Sequence, residues 1–502
     1  MASLKQLAGQ TVWYGLSNIA AKLLNQLLTP IITYMLNNPA GMVDYGNFSI
    51  IYSSISFVNI IFTYGLETAY FRFAAKGTDK EELFQTTFTS LLISTIVFSS
   101  ILIYLRVPLS NYIGLDGHSE YITWCVLIIA ADTLSAIPFA RLRQEGRPRK
   151  YAFTRVAGII VNIILTVFLV AYCPGEVAAH PDTALARWYS QYTATGFLIL
   201  ANLAQAVVTF LLLYREWAGY KLKFDAELWK KIMTYCWPMV IVGLGGMVNE
   251  TVDRIMLGKL MHGSEAARKV AVGIYSANYK IAIFITLFRT AFQMSAEPFF
   301  FSHATNKNAP ATYARVMKWF TITLCVAFLF TALYTDLWQY FVGSQYRSGL
   351  GVVPILLAAN VALGIYYNLS VWYKITDKMS MGMYITLAGA AITLTLNTIF
   401  IPVYGMYACA WTTFTTYTTM MVISFMLGQR YYPIPYPAKK IAMYLGAMAV
   451  LFFIQKGITH LSANMLLHLG SATLLMLSFV ALVLKMEKEE LKELPVIGKF
   501  MK

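Results

Sequence analysis

The sequence predicts an all-α polytopic membrane protein, about fourteen transmembrane helices in two six-helix lobes with two further helices at the C-terminus. Three observations predict it. Hydrophobic residues make up 58% of the 502 and charged ones only 13%, with a mean hydropathy of +0.58. A soluble domain of this size could not bury that much apolar surface. Apolar runs of about twenty residues recur along the whole chain, each able to cross roughly 30 Å of hydrocarbon as a helix. The Lys and Arg residues concentrate in alternate loops, which is the pattern of a multi-pass chain.

In order, spans are expected at about 10–36, 46–66, 84–107, 121–141, 151–173, 191–214, 234–258, 273–297, 315–341, 350–373, 381–402, 405–428, 438–456 and 464–485. Backbone amides in lipid find no water, so each span must be a helix. Span one carries Asn18, Lys22, Asn25 and Gln26. It is too long and too polar for a cleaved signal and is read as the first membrane helix. An even number of spans puts both termini on one side. Most of the 39 Lys and Arg fall there, in RLRQEGRPRK at 141–150, from Arg215 to Lys231, and in the tail, so that side is expected to be cytoplasmic. The net charge of +15 is read as this topology signal beside anionic lipid, and nucleic acid is excluded as a partner.

No loop exceeds about twenty residues, which leaves no room for a soluble catalytic domain. YGNFS at 45–49 and VGIYS at 272–276 open spans two and eight, with Gly46, Phe48 and Ser49 matching Gly273, Tyr275 and Ser276 at one offset of 227. The repeat suggests an N-lobe over 1–214, a C-lobe over 215–430, two appended spans over 431–485 and a charged tail from 486 to 502. Two repeated lobes are the usual architecture of alternating-access transporters.

Charge inside a membrane is costly, at least ~2.5–3.5 kcal/mol per residue at the bilayer centre, and therefore informative. Lys22 lies near the middle of span one and Asp132 in span four. Glu250, Asp253 and Arg254 lie toward the far end of span seven, and Lys280, Arg289 and Glu297 in span eight. Glu250 and Arg254 are spaced i, i+4 and can pair on one helix face. Asp253 needs another partner, for which Lys280 is at comparable depth; that pair is either scaffold or a gate between spans seven and eight. Arg289, Gln293 and Glu297 form a polar stripe that should line water. Lys22 and Arg289 lack an obvious carboxylate at their own depth. They either snorkel or pair with Asp132, or they await an anionic ligand.

Pro30 in span one, and Pro238 and GLGG at 243–246 in span seven, are helix breakers suited to bending or to close packing. GLGG lacks the spacing and the Lys-Ser/Thr ending of a phosphate loop, so no nucleotide is expected. The five cysteines have no paired spacing and read as small core residues, and the six histidines are too scattered for a metal site. No cofactor is expected.

DRIMLGKL (253–260), a short loop and then VGIYSANYKIA (272–282) resemble the polysaccharide-exporter branch of the multidrug, oligosaccharidyl-lipid and polysaccharide (MOP) flippase superfamily. The resemblance implies a flippase in the bacterial inner membrane, with both termini cytoplasmic, that moves a polyprenyl-diphosphate-linked oligosaccharide between leaflets by alternating access. It implies a cationic cavity for the diphosphate, for which Lys22, Arg254, Lys280 and Arg289 are the candidates. Asp132, Glu250, Asp253 and Glu297 become gate or coupling residues, with an inorganic cation or proton as a further partner beside membrane lipids. A peptidoglycan-precursor flippase of the same superfamily would want more arginine in span one, and a cation-coupled multidrug exporter an acidic site. A membrane glycosyltransferase or ligase would need a large loop.

Overall fold

The computed structural model describes residues 4–75, 77–115, 117–290, 292, 300, 308–462 and 464–492, with side chains described from Ile19 onward. It is helical throughout, with no strand among the described residues. Among the described residues, fourteen long helices follow the expected spans: α1 Leu4–Met35, α2 Pro39–Thr63, α3 Lys80–Tyr104, α4 Ser119–Gln144, α5 Pro148–Thr166, α6 Ala194–Leu212, α7 Ala226–Leu260, α8 Glu265–Ala282, α9 Ala309–Ala332, α10 Val353–Leu369, α11 Met379–Tyr404, α12 Met406–Tyr431, α13 Ala438–Leu461 and α14 Met465–Met486. Eleven are long and apolar enough to cross a membrane, or twelve if Glu265–Ala282 and Phe284–Thr290 count as one broken span. The other two expected spans, α1 and α12, are long but not among those eleven. Amides and hydroxyls such as Asn25, Gln26, Thr412, Thr413 and Thr416 dilute their apolar character.

Local chemistry sets the helix ends. Asn38 accepts the Gly41 amide at 2.8 Å at the head of α2, with Pro39 in the first turn. Asp79 caps Glu81 and Glu82 at 3.0 and 2.8 Å before α3, Asp225 caps Leu228 at 2.8 Å before α7, and Asn464 caps Leu466 at 2.9 Å before α14. Each cap satisfies amides that the first helical turn leaves without a carbonyl. Along α2 the hydroxyls of Ser49, Ser53, Ser54 and Ser56 each donate to the carbonyl four residues back, which lets a polar face exist in an apolar helix. Pro30 and Pro238 lie inside α1 and α7, and both helices continue past them.

The chain divides into two compact units. The first comprises residues 1–277, 343–346 and 386–409; the second comprises 278–342, 347–385 and 410–502. In the first, α5 packs between α1 and α6, α4 against α3 and α6, and α2 along α7. One of its cores gathers Leu66, Tyr70, Phe84, Ile137, Ile232 and Cys236. In the second, α9 packs against α10 and α13, and α13 against α14. All five cysteines are free and buried.

Candidate functional site

The acidic and basic residues at the far end of α7 are brought together within the first unit. Asp253 is buried. Its Oδ1 accepts from Arg254 Nη1 at 3.2 Å and from the Arg254 amide at 2.8 Å, and its Oδ2 accepts from the Tyr275 hydroxyl at 2.6 Å. The Arg254 guanidinium also reaches the Glu250 carbonyl at 3.1 Å and lies 5.8 Å from the Tyr275 ring centroid. The Cys409 thiol faces the Asp253 carbonyl at 3.8 Å. A carboxylate removed from water needs donors on both oxygens, and an adjacent arginine plus a tyrosine one helix away supply them. Glu250, one helical turn beyond the GLGG segment, is exposed.

Tyr275 stands on α8 where α8 crosses α2. A Cβ on Gly46 would come within 2.0 Å of the Lys269 carbonyl oxygen, and one on Gly273 within 2.7 Å of the Met42 carbonyl oxygen. Gly46 and Gly273 are 227 residues apart, as are Met42 and Lys269. The contact is therefore reciprocal, each glycine receiving the other helix's backbone, and only glycine allows so close an approach.

Two further polar groups occupy the first unit. Lys22 on α1 is exposed. Asp132 on α4 is also exposed, with Tyr52 on α2 and Arg155 on α5 within electrostatic reach of it. On α7, Asn249 donates to the Thr386 carbonyl at 3.1 Å and accepts from Thr393 at 3.2 Å.

In the second unit Lys280 is half-buried on α8. Arg289 is half-buried on the segment Phe284–Thr290, its guanidinium 5.0 Å from the centroid of the Tyr367 ring on α10. Its Nε is buried and has no hydrogen-bond partner among the described residues. The ring face attracts the cation without accepting its N–H groups, which leaves those donors to another acceptor. Glu297 and Gln293, expected to continue the Arg289 stripe, lie outside the described residues.

Sequence reasoning named Tyr275 only as one match in the repeat and missed Tyr367, Arg155 and Tyr52. An aromatic or a loop-proximal arginine carries no signal of its own in a chain with 33 tyrosines. The basic block at 141–150 proves partly ion-paired: Arg141 and Arg147 contact Glu145 at 2.9 and 3.0 Å, and Arg147 and Lys150 contact the buried Glu216. Burial opposes ionisation of Glu145, and hydrogen bonds from Arg141 and Arg147 outweigh it, so its carboxyl stays below the usual range. No group of three or more His, Cys, Asp or Glu among the described residues is placed to hold a metal ion.

A family model for polysaccharide biosynthesis proteins matches residues 7–304, more than half of the chain. The chain belongs to that family. This polysaccharide biosynthesis protein is also similar to solved membrane transporters. The lipid II flippase MurJ in an inward closed conformation superposes with a TM-score of 0.66 at 14% identity, over 94% of this chain and 99% of that one. An inward-facing multidrug resistance MATE family transporter of the MOP superfamily gives 0.61 at 14% identity, over 82% and 94%. The MATE multidrug transporter DinF-BH gives 0.58 at 15% identity, over 86% and 97%. At these identities the likeness establishes the fold alone, one shared with the lipid II flippase and with the MOP-superfamily transporter. No curated sequence matches the chain.

Proposed function

We propose that this polysaccharide biosynthesis protein is a flippase that carries a polyprenyl-diphosphate-linked oligosaccharide from the inner to the outer leaflet of the bacterial inner membrane, for surface polysaccharide assembly. Its termini lie in the cytoplasm, and one six-helix lobe rocks against the other. The observation that carries the reading is Arg289, a guanidinium fixed on the face of Tyr367 with a buried Nε that has no hydrogen-bond partner among the described residues. A fixed cation of that kind suits a diphosphate, which accepts in-plane hydrogen bonds and neutralises the charge. Lys22, Arg254 and Lys280 are the further cationic residues assigned to the cargo. Asp132, Glu250, Asp253 and Glu297 serve gating or coupling to a proton or inorganic cation. The family's name and the fold it shares with a lipid II flippase support this cargo over a soluble drug.

The test is export by cells producing Arg289→Gln or Lys22→Gln at normal protein level. Each should abolish or greatly reduce surface glycan, with lipid-linked oligosaccharide accumulating inside. Full export by both variants removes the cationic site from the mechanism.

A further inference from the structure

A cleft of about 280 Å³ opens where the end of α7 meets the start of α8, bounded by α2 and by the short helix Arg106–Ile113. Three cations line it. Lys259 Nζ reaches the Tyr112 carbonyl and lies 4.3 Å from the Tyr112 ring centroid. Arg268 donates through Nε to the Gly258 carbonyl at 3.2 Å and through Nη1 to the Gly263 carbonyl at 2.9 Å. Lys269 is buried and donates to the Gly114 carbonyl at 2.7 Å, with the Glu265 carboxylate also at 2.7 Å. All three cations act electrostatically on Glu265.

These partners orient all three cations and neutralise only one of them. Four of the five acceptors are neutral backbone carbonyls, and three cations against one carboxylate leave the described groups at +2. Donor capacity also remains: an ammonium has three N–H groups and a guanidinium five, so one is left on Lys269, two on Lys259 and three on Arg268. The start of α8 adds the positive end of an 18-residue helix on the same side.

The same cleft is also lined by the apolar side chains of Ile50, Leu109, Ile113 and Ile255. The helix Arg106–Ile113 beside it exposes Val107 and Tyr112, and Tyr104 at the end of α3 and Leu105 in the turn between them are exposed too. Apolar and tyrosine side chains exposed together on a short helix suit the membrane–water interface. We infer that this cleft binds the phosphate group of a lipid, with the headgroup among Lys259, Arg268 and Lys269 and the first chain carbons along the four apolar residues. The +2 charge matches a diphosphate better than a singly charged phosphodiester. Nothing in this cleft overlaps the cation set assigned above, so the two readings fail separately.

The five native cysteines are buried, so a single Asn111→Cys in the full chain reports on the cleft by its alkylation rate. In phosphatidylcholine nanodiscs, farnesyl diphosphate should slow that alkylation several-fold. Lys259→Gln with Arg268→Gln on the same background should raise the concentration needed about hundredfold, about tenfold per charge-assisted contact. Glu265→Gln should shift it the other way, which separates loss of binding from loss of folding. Protection by phosphatidylglycerol in the discs, with no further effect of farnesyl diphosphate, supports a resident phospholipid as the source of the phosphate. Protection by farnesyl diphosphate alone supports a diphosphate lipid. Equal protection by inorganic pyrophosphate overturns the lipid part of the inference. Protection by none of the three, or protection unchanged in the double variant, overturns the site.

Discussion

Placing a methyl group at Gly46 forces α2 and α8 apart, and the structure sets how far. The new Cβ would lie 2.0 Å from the Lys269 carbonyl oxygen, where ordinary contact begins at 3.4 Å, so the local separation must grow by about 1.4 Å, the difference of the two. At Gly273 the distance is 2.7 Å from the Met42 carbonyl oxygen, which asks for about 0.7 Å. Backbone cannot step aside as a flexible side chain can, so Gly46→Ala belongs near the upper end of the about 1–3 kcal/mol cost of overpacking and Gly273→Ala near the lower end. Each also gains up to about 1 kcal/mol of helix propensity. The net expectation is about 2 kcal/mol of destabilisation for Gly46→Ala and about none for Gly273→Ala. Once Gly46→Ala has parted the helices, the second methyl fits. The double variant should then cost about 1 kcal/mol less than the sum of the singles. Reversible unfolding in mixed micelles, followed by far-ultraviolet circular dichroism, measures all three, with Gly246→Ala as control because nothing lies within 4 Å of its Cβ position. The reasoning is refuted if Gly46→Ala is no costlier than Gly246→Ala, or if the two crossing variants add.

Tyr275→Phe removes the 2.6 Å hydrogen bond to the buried Asp253 carboxylate and should cost about 1–3 kcal/mol in the same unfolding assay. Lys318, buried on α9, joins Glu487 and Glu490 just past α14, and Glu487 also accepts from Tyr444 at 2.7 Å and Lys440 at 3.0 Å. Lys318→Met should therefore destabilise by about 3–5 kcal/mol, and adding Glu487→Leu should recover much of it. Burial opposes ionisation of Glu487 and Glu490, yet hydrogen bonds led by Lys318 hold both carboxyls below their ordinary 4.5. Because the folded values are depressed, this stabilisation is complete above the ordinary value and is lost as pH falls through the folded ones. Proteolysis of the C-terminal segment should thus accelerate as pH falls below the ordinary 4.5, and Glu487→Leu should flatten the profile. Arg149→Cys, at an exposed position in the basic block, reports topology. In intact cells it should react only with membrane-permeant thiol reagents, and labelling by an impermeant one would reverse the proposed orientation.

The sequence by itself determined that the chain is a set of membrane helices, because hydrocarbon admits no unsatisfied backbone and the apolar runs have the length to cross it. It also determined where polar chemistry had to be sought, since intramembrane charge is costly enough to single out Lys22, Asp132, Asp253, Arg254 and Arg289. The matched segments at 45–49 and 272–276 were legible for the same reason, as short-range patterns written in consecutive residues. Partners were not legible. Asp253 takes its second donor from Tyr275, 22 residues on across a loop, and Arg289 rests on Tyr367 from another helix. Gly46 meets the backbone of Lys269 across a helix crossing. Helical spacing states which residues share a face of one helix, but not which face of which other helix comes opposite. That choice is made by packing, through the glycine contacts and the carboxylates that must find donors away from water, and it exists only in the tertiary structure.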